Sequence, residues 1–200
     1  MAVRKGQVTH QAILDESVQL ASRLGLLGLS VGGLADEVEM SKSGLFAHFR
    51  SKEQLQLETL AHARRLFIDV VVRPSRKVPD GEQQLRALVD HWFAWADESL
   101  RGGCLFVAAA VELDDRPGPL RDALVASERE WRGLLRSVAQ SAVDRGEFAA
   151  ELDPDQFSYE LHALMLAYHH SSRLLTSREE ATRRTRSAFE RLVHAARPTD

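Results

Sequence analysis

Only three residues, Glu39, Met40 and Ser41, separate the short segment with the apolar pattern Val31, Leu34, Ala35 and Val38 from the segment, opening at Lys42, with the pattern Leu45 and Phe49. Both patterns have helical spacing, so two short helices must meet at a tight turn, which leaves no room for a strand between them. Ser30 stands before the first and Ser41 before the second. Each is a good N-cap, because a serine hydroxyl accepts from the free N–H groups two or three residues on. Leu45 and Phe49, at i and i+4, share a buried face, and the other face is left with Lys42, Ser43, Gly44 and His48. A cation, a hydroxyl, a residue without a side chain and a two-nitrogen ring suit phosphates and base edges and let the backbone come close. Two short helices so joined form a helix-turn-helix, whose second helix enters the major groove.

The flanking segments complete that reading. From Thr9 to Leu24, Ala12, Ile13, Ser17, Leu20, Ala21 and Leu24 recur at helical spacing, and Gly25 is placed to end a first helix. Ser51 caps a further helix opened by Lys52 and Glu53, which puts Lys52 at the positive end of a helix dipole, where an anion would sit. Arg4 and Lys5 read either as a frayed terminus or as an arm that reaches the minor groove.

The run Ile13 to Leu55, with Ala35 in the second helix, Ser41-Lys42-Ser43-Gly44-Leu45-Phe46 in the third and Phe49-Arg50-Ser51-Lys52-Glu53-Gln54-Leu55 after it, resembles the TetR family of bacterial transcriptional regulators. The resemblance implies an all-α chain with an N-terminal three-helix DNA-binding domain and a larger helical ligand-binding and dimerisation domain. It also implies a homodimer. Members commonly carry an aromatic pair before the histidine and phenylalanine that end the recognition helix; here the pair is Phe46 and Ala47, so hydroxyl donors to phosphate are missing. The DNA-contact candidates are Ser30, Ser41, Lys42, Ser43, Gly44, Phe46, His48 and Lys52, with Phe46 equally open to a core-packing role. Gly32 and Gly33 weaken the second helix by up to about 1 kcal/mol each, so packing must hold it.

Charge bears on the same point. The chain carries a net −3. Within residues 1–55 the cations Arg4, Lys5, Arg23, Lys42, Arg50 and Lys52 balance Asp15, Glu16, Asp36, Glu37, Glu39 and Glu53. Distribution outweighs the total, because screening confines each charge to roughly 8 to 10 Å. Asp15, Glu16 and Asp36 fall on the first two helices, away from the proposed DNA face.

The remainder reads as helix throughout. A fourth helix from Lys52 carries Leu55, Leu57, Leu60, Ala63, Leu66, Phe67 and Val70 and is expected to stop at Arg73-Pro74, where a loop to Gly81 begins. A fifth spans about Glu82 to Glu98, a short apolar one Cys104 to about Glu112, and a long one Leu120 to about Arg145. Asp153-Pro154 caps the next, with Phe157, Leu161, Leu164, Met165, Tyr168 and Leu175 on one face and Tyr159, Ala163 and Leu166 opposite. The last runs from about Arg178 to Ala196, with Ala181, Thr185, Ala188, Phe189, Leu192, Val193 and Ala196 inward. A helix apolar on two sides needs two partners. The expected arrangement is therefore a homodimer through residues 155–175 and 178–196, matched by two-fold symmetry to a palindromic double-stranded operator. The domain boundary is expected at 52/53, dividing 1–52 from 53–200.

With 44% hydrophobic and 28% charged residues the chain suits a well-cored fold rather than a disordered one. The single cysteine, Cys104, forms no intrachain disulfide and lies in an apolar run, where it reads as a small hydrophobe. The first residues lack the apolar stretch of a signal peptide, and no run is long enough to span a bilayer; a cytoplasmic protein without membrane contact is expected. No nucleophile–base pair, phosphate loop or carboxylate pair stands out, so no catalytic residue and no cofactor are expected. His162, His169 and His170 lack zinc-site spacing, and no metal is expected. Trp92, Trp95, Phe106, Trp131, His162, Tyr168 and His169, rings with polar edges among apolar helices, are the candidates for contact with an unidentified small-molecule effector; the alternative is a plain helical core. The expectation is a DNA-binding regulator, a repressor released by that effector. The alternatives are a DNA-binding regulator without an effector and an all-helical enzyme.

Overall fold

The computed structural model describes residues 2–198, and side chains from residue 10 onward. The helices are α1 (Ala2–Leu24), α2 (Val31–Glu37), α3 (Lys42–Phe46), α4 (Lys52–Phe67), α5 (Glu82–Ala94), α6 (Leu105–Leu113), α7 (Pro119–Asp144), α8 (Pro154–His170) and α9 (Arg178–Ala196). There is no strand among the described residues, and the fold is all-α. The chain divides into two compact units. The first comprises the residues up to Phe67 with Asp97–Ser127, the second Ile68–Ala96 with the residues from Glu128 onward.

In the first unit, Ile13, Leu14, Val18 and Ala21 of α1 are buried with Leu34, Ala35, Leu45, Phe49, Leu55 and Leu60. Ser17, read as part of the apolar stripe, is fully buried; its hydroxyl donates to the Leu14 carbonyl at 2.8 Å and lies 2.9 Å from the Thr59 hydroxyl of α4. Buried hydroxyls tolerate such a place only when paired in this way. The α1–α2 turn, Gly25–Ser30, is held by side chains from two other helices. Glu112 of α6 accepts from the Leu27 N–H at 3.2 Å, while Lys52 and Gln56 of α4 donate to the Leu27 and Leu26 carbonyls at 2.7 and 2.6 Å. Gly25 adopts φ +78°, the left-handed region that favours glycine, and a Cβ there would fall 1.5 Å from the Glu112 carboxylate and push that side chain aside.

In the second unit, Leu85, Leu88, Trp92 and Phe93 of α5 are buried, as are Leu135, Val138 and Ala142 of α7, Phe157, Leu161, Met165 and Tyr168 of α8, and Phe189 and Val193 of α9. At its surface the Glu82 carboxylate lies between two guanidinia, 2.7 Å from Arg197 and 2.8 Å from Arg86, and Arg86 also forks onto Glu190. Bonding to Arg197, and next to Arg86, outweighs burial and holds Glu82 below its usual 4.5; Arg86 does the same to Glu190. The folded state then binds fewer protons than the unfolded one near these values, so this stability is complete above pH 4.5 and is lost as pH falls through the lowered folded pKa. Glu82→Gln should accordingly flatten the acid limb of stability below about pH 5, read from urea midpoints across pH.

Two boundaries differ from expectation. Helix α4 does not stop at Arg73 but widens into a π turn, Ile68–Val72, and continues through Arg73–Ser75, with Pro74 inside. Proline lacks the N–H that would bond the carbonyl four residues back and its ring crowds that carbonyl, so a locally widened helix accommodates it. Helix α3, expected to run on to His48 and Phe49, ends at Phe46; the Ala47 and His48 N–H groups bond Ser43 and Leu45 carbonyls at 3.3 and 2.9 Å, and the chain then turns. In α8 the face Phe157, Leu161, Met165 and Tyr168 is buried as expected, whereas Leu175, assigned to that face, is exposed, because α8 widens into a π turn at Ser171–Leu175 and loses the register.

Candidate nucleic-acid interface

The turn between α2 and α3 follows from its caps. The Ser30 hydroxyl accepts from the Gly33 N–H and the Ser41 hydroxyl from the Gly44 N–H, each at 3.1 Å. Glu39 adopts φ 52°, and the Met40 N–H reaches back to the Ala35 carbonyl at 3.0 Å, closing α2 with a left-handed residue and a six-to-one bond. Glycine is usual there; glutamate costs about 1 kcal/mol of backbone strain.

Leu45 and Phe49 are fully buried and fix which side of α3 faces outward. Lys42 and Ser43 are exposed, Gly44 is half-buried, and Phe46 is 53% exposed, which argues against its core-packing role. The Lys42 stem lies beside Gly32, where a Cβ would come 3.5 Å from its Cε; glycine gives the lysine a flat seat on α2. Ser43 is 3.2 Å from Ser41, hydroxyl to hydroxyl.

His48 and Lys52 are more committed than the sequence suggests. The His48 ring is half-buried, 5.5 Å from His10 of α1 and 6.3 Å from Phe49. Lys52 is exposed, yet one donor is engaged on the Leu27 carbonyl, which leaves two for an anion. Sequence reading missed His10, Gln54 and Glu58 around this turn. The spacing of Gln54 and Glu58 at i and i+4 on α4 was the one available signal. The side chains of Arg4 and Lys5, the proposed arm, lie outside the described residues.

The ring-bearing effector candidates do not all converge. Trp92, Phe93 and Tyr168 form one cluster, with centroids 5.6 Å apart for Trp92–Tyr168 and 4.8 Å for Phe93–Tyr168. Trp95 is buried in the same unit, Trp131 is half-buried, and His162 lies 3.4 Å from Glu128. Burial, and then the charges of Arg173 and His170, holds His169 below its usual 6.5, favouring its neutral form. Phe106 belongs to the first unit, where it packs edge-on against Phe67 at 5.7 Å. Cys104 is buried at the start of α6. Among the described residues no group of three His, Cys, Asp or Glu is placed to hold a metal ion, and no helix is long and apolar enough to cross a membrane.

A three-helix unit whose capped third helix turns a small cationic and hydroxylic face outward defines a helix-turn-helix DNA-binding protein. The family description "Bacterial regulatory proteins, tetR family" matches residues 13–59, and "Tetracyclin repressor-like, C-terminal domain" matches residues 81–189. The chain belongs to the TetR family of DNA-binding transcriptional regulators. It is 24% identical over 147 residues to the HTH-type transcriptional repressor DhaR of Mycobacterium sp. (strain GP1), covering 73% of each chain. A TetR transcriptional regulator from Chloroflexus aurantiacus J-10-FL has a similar structure, with TM-score 0.84, 28% identity and coverage of 96% of this chain and 95% of that one. AibR, solved in complex with isovaleryl coenzyme A and operator DNA, matches with TM-score 0.71 over 95% of this chain and 99% of its own. At 19% identity that likeness speaks to the fold alone.

Proposed function

We propose that this chain is a cytoplasmic repressor that binds a palindromic operator as a homodimer and leaves it when a small molecule binds the helical C-terminal domain. The outward face of α3 carries the reading: Lys42 and Ser43 are exposed while Leu45 and Phe49 anchor the helix from behind. Lys42, Ser43 and the close backbone approach at Gly44 supply specificity. Ser30, Ser41 and Lys52 meet phosphates near helix N-termini, and Phe46 and His48 flank the contact. Functionally the chain divides into 1–52, which reads DNA, and 53–200, which responds and dimerises.

Dimerisation is supported by α8. Opposite its buried face, Tyr159 and Leu166 are 59% and 40% exposed, and Leu174 and Leu175 beyond it are 72% and 64% exposed. Such a stripe suits a second copy of α8 and α9, and two-fold symmetry then places one α3 in each half-site. The Trp92–Phe93–Tyr168 cluster, with His169 nearby in sequence, supports an apolar effector with one polar group.

A ligand shifts such a switch only through unequal affinity for its two states. DhaR is named a repressor, and AibR was solved in complex with isovaleryl coenzyme A and operator DNA, which supports a repressor that takes both DNA and a small molecule. A thermal-shift screen of a metabolite panel checks the effector: a true ligand at about a hundred times its Kd should add about 2.7 kcal/mol of stability and release bound DNA. Compounds that stabilise the protein without releasing DNA would contradict the switch.

A further inference from the structure

The turn that leaves α3 is held by a ladder of side chains that DNA contact alone does not explain. Helix α3 spans five residues and is too short to hold its own direction. The Arg50 N–H donates to Gln54 Oε1 at 2.9 Å, Gln54 Nε2 donates to Glu58 Oε1 at 2.8 Å, and Glu58 Oε2 lies 2.9 Å from Nε2 of His10. The His10 ring in turn stacks on Phe49, with centroids 5.1 Å apart, and meets the His48 ring at 5.5 Å. Gln54 and Glu58 fall one turn apart along α4, so one face of α4 grips the backbone of the preceding turn at Arg50 and, through His10 of α1, the His48 ring.

We propose that His10 and Glu58 are positioning residues for operator binding: with Gln54 they clasp the exit of α3 and fix the pose in which His48 meets DNA. The proposal rests on the reading of the α3 face given above. Phe49 is fully buried and stays anchored without the clasp. His48 is half-buried, and its rotamers are restrained by the His10 ring. Breaking the Glu58–His10 bond therefore leaves the fold and loosens His48.

The test measures affinity for an operator selected from random DNA, alongside the thermal midpoint of each variant. Glu58→Ala and His10→Phe both remove the bond, the second while keeping a ring against Phe49. Each should weaken operator binding about tenfold with the midpoint unchanged, and Glu58→Gln, which keeps an acceptor, should restore it to within about twofold. In a His48→Ala background Glu58→Ala should have no further effect, because the clasp acts through His48. Wild-type affinity in both Glu58→Ala and His10→Phe overturns the clasp, as does a Glu58→Ala loss that multiplies undiminished onto His48→Ala. Should Glu58→Ala fail to fold, His10→Phe and Glu58→Gln decide the matter. Wild-type affinity in Lys42→Ala and His48→Ala would instead overturn the α3 reading itself.

Discussion

Replacing Gly102 with alanine is expected to destabilise the protein by about 3 kcal/mol or more, lowering the thermal midpoint by roughly 6 °C or more. A Cβ at this position would lie 1.8 Å from the Ser22 carbonyl oxygen and 2.5 Å from the Arg23 nitrogen. Both are backbone atoms of α1, so no side chain can swing aside. The Gly102 N–H also donates to the Ser22 hydroxyl at 3.0 Å, and this bond is lost if the loop retreats. The same loop is seated on α1 by Gln19, which bonds the Ser99 carbonyl at 2.8 Å and the Arg101 N–H at 3.1 Å, and by the Arg101–Glu16 pair. Retreat would disturb all of these together. Gly133→Ala is the control: a Cβ there meets nothing within 4 Å in mid-helix, so it should stabilise by about 0.5 to 1 kcal/mol. Equal midpoints for Gly102→Ala and the parent chain would contradict the close approach.

Lys42→Glu is expected to cost about a hundredfold in operator affinity while leaving the fold intact. Lys42 is exposed at the first position of α3, capped by Ser41, and a carboxylate at that position is favoured by the helix dipole. Stability should hold or rise slightly. Against DNA the same change removes a cation and places an anion beside phosphates, so the loss is functional. The salt dependence separates this from misfolding: the slope of log affinity against log salt should shrink by about one per half-site as a phosphate contact disappears. A variant that keeps its affinity and slope would remove Lys42 from the interface.

How much of this was legible in the sequence follows the range of the interactions involved. Ser30, Ser41 and Asp153 act within a few residues, and the helices they cap stand where their spacing puts them. The Leu45–Phe49 pair likewise announced the buried side of α3. What escaped depends on how helices cross. The helix start marks Lys52 for an anion, but its bond to the Leu27 carbonyl at 2.7 Å, 25 residues back in the chain, leaves no local trace. His10 carries no local signal of its contact with His48 and Glu58, because α1 must first pack on α4. Phe106 shares composition with the aromatic cluster but folds into the other unit, and composition cannot tell the two apart. Pro74 marks a helix end by its local chemistry, yet the π turn before it lets the helix continue.

Selection of bound sequences from random double-stranded DNA tests the central claim most directly. The protein should enrich an inverted repeat whose half-site centres lie one helical turn, about 10 to 10.5 base pairs, or a multiple of it apart. With Lys42→Glu that enrichment should disappear. Binding that enriches no sequence, or an enriched site without two-fold symmetry, would contradict a homodimer that presents one α3 to each half-site.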